Sequence, residues 1–300
     1  MNDIKIYKSL SEAVKSIFGE DRAVARKRYA AGGDINEACV LTLDDGTQLF
    51  MKSNTTASLA NFKAEAEGLY EIRATGAIGV PQVLGAGTDT GFSFLLLTYI
   101  GGGNRIRRYW ETFAEELAAM HASMHASQIS GGREYGFPKD NWIGARRQIN
   151  TPCAEWISFF RDCRLAPQFE SARRYLSAED LNRAEYLLIN LDKYLVEPER
   201  PSLVHGDLWS GNMITGDDGK GWLIDPAVYY GHPEVDLAMT ELFGGFPRAF
   251  YEAYRDTGLM QYGYEDRKDL YNLYQLLNHL NMFGFGYLPE VRRILKRYAG

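Results

Sequence analysis

Leu203–Ile214 reads LVHGDLWSGNMI. Two short apolar runs enclose a histidine, an aspartate and an asparagine, so the polar residues fall on a loop between strand-forming segments. Asp207 and Asn212 are five apart, and Asp225 ends a second apolar run, Trp222-Leu223-Ile224, thirteen residues after Asn212. Phosphoryl transfer from ATP needs one carboxylate beside the acceptor hydroxyl, and an amide and a second carboxylate to hold magnesium on the phosphates. The kinase pattern D-x-x-x-x-N, followed by an aspartate at a strand end, is present.

The other expected pair lies upstream. EACVLTLDDGTQLFMKSN contains two β-rich runs around Asp45-Gly46, a two-residue hairpin signal, and the second run ends on Lys52. In SLANFKAEAEGLYEIRATG, Leu59, Phe62, Ala66, Leu69 and Ile72 recur at spacings of three and four before Gly76, which predicts an amphipathic helix carrying Glu65. Kinases use such a lysine on the α and β phosphates and such a glutamate to hold it. Gly32 and Gly33 sit between extended runs, where backbone can approach phosphates closely. Each residue also has a plain structural reading: a surface lysine, a solvated glutamate, a hairpin turn, an aspartate or asparagine satisfying a loop. The joint occurrence of all five in kinase order argues against those readings.

Composition narrows the class. Of 300 residues, 45% are apolar and 24% charged, ordinary for a soluble globular chain. The formal charge of −6 is wrong for a protein whose main partner is nucleic acid. The longest apolar runs fall short of the roughly 20 residues that span a bilayer. The first residues lack a signal-peptide pattern, so the expected compartment is the cytoplasm. Cys39, Cys153 and Cys163 are widely spaced and suggest neither a disulfide framework nor a zinc site. His121 and His125 are four apart on a helix, but Ala122 stands where H-E-x-x-H needs glutamate, so packed histidines are expected.

Organisation along the chain follows. A mainly β region runs from Arg22 to about Tyr99, with a second hairpin in VLGAGTDTGFSFLLLTYI, and Gly-Gly-Gly-Asn at 101–104 marks the domain boundary. Residues 1–100 are expected to form a nucleotide-binding lobe and 101–300 a helical lobe with the catalytic loop. Beyond the boundary, helical periodicity dominates, and the opening stretch and GWLIDPAVYYG are the only strand-like islands, joined at the turn GDDG. The fold class is α+β.

HGDLWSGN resembles the catalytic loop of the fructosamine kinases, or ketosamine-3-kinases, which belong with the aminoglycoside phosphotransferases in the protein-kinase-like fold. The interior Leu-Trp-Ser-Gly discriminates more sharply than His-Gly-Asp alone. GGDINEA, FKAEAEGL, ELAAMHAS, YGFPKDNWIG, WISFFRDCRLAPQ and LIDPAVYYGHPEVDLAMTELFGGFP are similar to family segments, so the resemblance runs from about Gly32 to Pro247. It implies Asp207 as catalytic base, Asn212 and Asp225 as magnesium ligands, Lys52 and Glu65 as the phosphate-anchoring pair, and His205 as a loop support. It places Trp209, Asn141, Glu234 and Asp236 near the acceptor pocket or bracing it. Magnesium ATP is expected between the lobes, with adenine against Tyr99 and Ile100 and phosphates beneath Gly32 and Gly33.

One departure concerns the acceptor. After NWIG many members continue with a Thr-Pro-Gln-like segment, whereas this chain has Ala-Arg-Arg-Gln, placing Arg146 and Arg147 where the sugar or its amine substituent passes. The expected substrate is a ketosamine, small or borne on a glycated-protein lysine, phosphorylated on the sugar 3-hydroxyl by a monomer or homodimer. An aminoglycoside, choline or thiosugar kinase of the same fold is the alternative, and a non-catalytic nucleotide-binding protein is the alternative of another class.

Overall fold

The structure is a computed structural model, and it describes residues 4–30, 36–123 and 134–300. Gly32, Gly33 and His125 lie outside the described residues. The chain divides into two compact units, Met1–Tyr109 with Met213–Pro226, and Trp110–Asn212 with Ala227–Gly300.

In the first unit the elements in chain order are β1 (Ile6–Tyr7), α1 (Leu10–Phe18), β2 (Val24–Tyr29), β3 (Glu37–Leu43), β4 (Gln48–Asn54), α2 (Leu59–Thr75), β5 (Val83–Asp89) and β6 (Phe92–Thr98). The strands form one sheet in the order β1-β5-β6-β4-β3-β2, antiparallel except where β1 meets β5. Successive side chains of a strand face opposite ways. Cys39, Leu41, Leu43, Leu49, Met51, Phe94 and Leu96 therefore gather on one face with Ala13 and Val14 of α1. The same alternation turns Lys52, next to Met51, to the other face. There α2 buries Phe62, Ala66, Leu69 and Ile72, the stripe its spacing predicts. Gly76 closes α2 with φ 64, a left-handed conformation that glycine adopts without cost.

The hairpin Met213–Thr215 with Gly221–Leu223 also belongs to this unit. The glycine run after β6 lies on its turn, where Gly103 N–H donates to the Gly216 carbonyl at 3.0 Å and Ile106 N–H to that of Gly219 at 3.1 Å. A Cβ on Gly103 would stand 2.5 Å from the Gly216 oxygen, so close backbone approach explains glycine at this position.

The second unit is mainly helical. It contains most of α3 (Tyr109–Ala122), helical turns from Trp156 through Ala172, and the helices Ala178–Ile189, Glu234–Leu242, Arg248–Asp256, Tyr264–Phe283 and Leu288–Ala299. Tyr264–Phe283 buries residues around most of its circumference, including Leu270, Leu273, Leu277 and Leu280, as a helix inside a bundle does. Ser202–Val204 pairs antiparallel with Tyr229–Gly231. Asn141–Ile143 and Arg146–Gln148 form another antiparallel pair, which corrects the expectation that the helical region holds only two strand-like islands. Three-residue strands around Gly144, at φ 61, are too short to display a period of two.

Candidate active site

The first unit carries Lys52, Glu65 and Asp225. Lys52 lies on β4, interior to the sheet between β3 and β6, opposite Ala38 and Leu95. Its ammonium donates to Glu65 Oε1 at 2.7 Å and to Asp225 Oδ1 at 2.5 Å. Burial opposes the charge on Lys52, but the carboxylates of Glu65 and Asp225 outweigh it and hold the lysine above its ordinary pKa. The pairing with Glu65 matches the sequence reading. The contact with Asp225, 173 residues away, had no sequence signal. Asp225 has φ 55, the one non-glycine residue in the left-handed region among the described residues. That conformation costs on the order of 1–3 kcal/mol, and such strain clusters at functional sites. Tyr99 and Ile100 are half-buried and lie beyond Thr98, the last residue of β6 in the ladder.

The second unit carries the loop of Asp207 and Asn212. Asn212 ends a tight helical turn, Ser210–Asn212, and its Nδ2 donates both to the Asp207 carbonyl at 2.8 Å and to Asp207 Oδ2 at 3.0 Å. The five-residue spacing is what allows one amide to hold both backbone and carboxylate. His205 is fully buried, and its Nδ1 accepts the Asp207 N–H at 3.3 Å. Gly206 has φ 82, and a Cβ there would lie 2.2 Å from the Ala227 carbonyl oxygen, so only glycine fits.

Asp236 braces this loop from the first turn of helix Glu234–Leu242. Its carboxylate accepts the N–H of His205 at 2.6 Å and that of Gly206 at 2.9 Å. His121 Nε2 meets the same carboxylate at 3.1 Å, and its Nδ1 lies 2.7 Å from the Tyr254 hydroxyl. A carboxylate only accepts, so Nε2 carries a hydrogen and donates it to Asp236. The Gly206 carbonyl accepts from Gln275 Nε2 at 2.8 Å, and the His205 carbonyl accepts the Ala227 N–H at 2.8 Å. His121, Tyr254 and Gln275 had no motif to reveal them. Glu234 takes another place, a buried ion pair with Arg267 at 2.7 Å.

The residues expected near the acceptor divide. Trp209 is 37% exposed and packs edge-on against Phe243, ring centroids 6.0 Å apart. Asn141 is buried: its Nδ2 donates to the Val228 carbonyl at 2.7 Å, and its Oδ1 accepts from Gln148 and Asn150, each at 2.8 Å. Its side chain is a brace between the 141–150 segment and Val228. Arg146 Nη2 donates to Ser171 Oγ at 2.8 Å. Arg147 is exposed and pairs with Asp140 at 2.6 Å.

The donor chemistry can be tested against magnesium, a hard ion that takes oxygen ligands and few protein groups. Asn212 commits its Nδ2 to Asp207, which leaves the carbonyl oxygen for a cation. Asp225 gives one oxygen to Lys52 and keeps a side chain 43% exposed. Both fit the ion.

The fructosamine kinase family model matches residues 6–299. The chain belongs to the fructosamine kinase family. A Synechocystis protein named "Probable ketoamine kinase" is 37% identical over 97% of this chain and 96% of its own. "Protein-ribulosamine 3-kinase, chloroplastic" of Arabidopsis thaliana is 37% identical over 93% of this chain and 84% of its own. A crystal structure of a Haemophilus somnus protein named "Putative fructosamine-3-kinase" superposes with TM-score 0.84 at 29% identity, covering 97% of each chain. A macrolide 2'-phosphotransferase, at TM-score 0.62 and 15% identity over 96% of this chain and 95% of its own, shares the fold alone. The α+β fold is thus protein-kinase-like, and the chain is a kinase that transfers phosphate to an alcohol group. No described helix is long and apolar enough to cross a membrane.

Proposed function

We propose that this chain transfers the γ-phosphoryl group of magnesium ATP to the sugar 3-hydroxyl of a ketosamine, acting in the cytoplasm on fructosamine or ribulosamine adducts. End-to-end similarity to proteins named for ketoamines and ribulosamine carries the acceptor assignment. Phosphorylation at that hydroxyl destabilises the adduct and frees the amine, which makes the activity a repair of glycation.

The residues take these parts. Asp207 orients the acceptor hydroxyl and receives its proton as the oxygen bonds to the γ-phosphorus and the bond to the bridging β,γ-oxygen breaks. A free aspartate has a pKa of about 4 and is a weak base, but a loose transition state transfers the proton late, so orientation matters more than basicity. Asn212 fixes that orientation through its two bonds to Asp207. Lys52, kept charged by Glu65 and Asp225, contacts the α and β phosphates. Asn212 and Asp225 would hold magnesium, which would neutralise charge on the phosphates. The backbone at Tyr99 and Ile100 receives the adenine. Trp209 provides an apolar wall for the sugar.

The test is ADP release with magnesium ATP across fructose-lysine, ribulose-lysine, kanamycin and choline, with Asp207→Ala beside the native chain. Turnover on the ketosamines alone, lost in the variant, is the expected result. Turnover confined to kanamycin or choline would keep the kinase chemistry and discard the ketosamine.

A further inference from the structure

Arg146 and Arg147, adjacent in the chain, are in different electrostatic states. Arg147 is exposed and neutralised by Asp140. Arg146, half-buried one position earlier, pairs with no carboxylate among the described residues. Its guanidinium is pinned by Ser171 Oγ, itself anchored on the Pro167 carbonyl at 3.0 Å. Its Nε is shielded from solvent without an acceptor, and Nη1 bonds to none of the described residues. A partly desolvated cation without a counter-ion is costly, and a donor held in place yet unused points to an absent acceptor.

Its location says what that acceptor belongs to. Arg146 and Gln148 share one face of their short strand. Gln148 Nε2 donates to the Ala227 carbonyl at 3.0 Å, and the Ala227 N–H donates to the His205 carbonyl beside the catalytic loop. Tyr274 donates to Gln148 Oε1 at 2.8 Å. Burial raises the pKa of its phenol, with smaller influences from Arg164, Tyr229, Asp207 and Arg146, which lie around it. The free cation and the proposed base thus share one neighbourhood of one unit.

We propose that Arg146 selects acceptors whose amine-bearing part carries a carboxylate, so that free ketosamine amino acids are preferred over adducts embedded in a polypeptide. The proposal rests on the ketosamine reading above. A planar guanidinium suits a carboxylate better than a neutral amide, because the bond is charge-assisted and directional.

The experiment compares Nα-acetyl-fructose-lysine with its carboxamide, which differ in one charge, by calorimetric binding and by ADP release. In the native chain Kd and KM are expected to be about tenfold lower for the carboxylate, the scale of one modest charge-assisted bond. Arg146→Gln should raise the carboxylate values to those of the amide, with kcat and the amide values within about twofold. Arg146→Lys, which keeps the charge, should retain part of the preference. Equal KM for both compounds in the native chain would overturn the proposal, as would an equal loss of kcat on both in Arg146→Gln. Binding with the expected ratio but no turnover would keep Arg146 as selector and overturn the ketosamine kinase reading. Failure to bind either compound would overturn both.

Discussion

Asp236→Asn is the substitution that most directly tests how the catalytic loop is held. The carboxylate accepts three donors, the N–H groups of His205 at 2.6 Å and Gly206 at 2.9 Å and Nε2 of His121 at 3.1 Å. The first and third converge on Oδ2 and the second reaches Oδ1. An asparagine of the same shape offers one acceptor oxygen and one NH2 group. Its best placement keeps the oxygen at the Oδ2 position, which sets the NH2 against the Gly206 N–H. One buried backbone donor then loses its partner, at about 1–3 kcal/mol, and the two surviving bonds lose their charge assistance. The expected destabilisation is about 2–4 kcal/mol, read by urea denaturation. Because His205 and Gly206 immediately precede Asp207, the loop should shift as well, lowering kcat about 10²-fold with KM for ATP little changed. Asp207→Asn provides the contrast, with activity lost and stability within about 1 kcal/mol of native. Native stability and kcat in Asp236→Asn would refute the view that this carboxylate positions the base.

Lys52→Met should destabilise by about 3 kcal/mol, because it leaves Glu65 buried without its cation. Adding Glu65→Gln should recover most of the stability and none of the turnover, and recovery of turnover would remove Lys52 from the phosphate site. Gly206→Ala should cost more than about 2 kcal/mol and abolish activity, since its φ of 82 and the 2.2 Å approach to Ala227 leave no place for a methyl group; a folded, active variant would show that the turn relaxes. His232, fully buried, has its pKa pushed down to about 3 by burial and then by Arg267. Between about 3 and the unfolded value near 6.5 the unfolded chain binds the extra proton, so this group makes stability fall with falling pH by up to about 1.4 kcal/mol per unit. His232→Asn should flatten that slope in denaturation measured from pH 6.5 to 4.5, and an unchanged slope would refute the assignment.

The parts of the site that sequence reveals are those whose geometry is local. Asp207 and Asn212 are legible because a single turn brings an amide back onto a carboxylate five residues earlier. Lys52 and Glu65 are nearly so, because strand alternation fixes the face of one and helical spacing that of the other. Asp236 belongs to a segment that resembles the family, but nothing in its spacing says that its carboxylate receives the amides of His205 and Gly206. His121 shows the same limit from the other side: a histidine pair on a helix suggests a metal or plain packing, and the structure instead assigns it to a carboxylate and a tyrosine on two other helices. The hairpin that ends at Asp225 is legible as a hairpin, but its packing on the 101–106 segment is tertiary, and so is the contact that aims Asp225 at Lys52.

These residues serve one physical requirement. Phosphoryl transfer asks little of the protein in covalent chemistry and much in the placing of charge. Lys52 remains a cation in a buried place only because two carboxylates surround it, and Asp225 accepts a strained backbone while contacting that lysine. Asp207, the proposed base, is half-exposed, so its position must come from groups that are not exposed: Asn212 beside it, and behind it the buried His205, Asp236 and His121. Arg146 departs from this pattern. It is held in place yet uncompensated, which is the condition of a group whose partner arrives with the substrate, and on that ground the acceptor's charge is the property by which this chain is expected to discriminate among ketosamines.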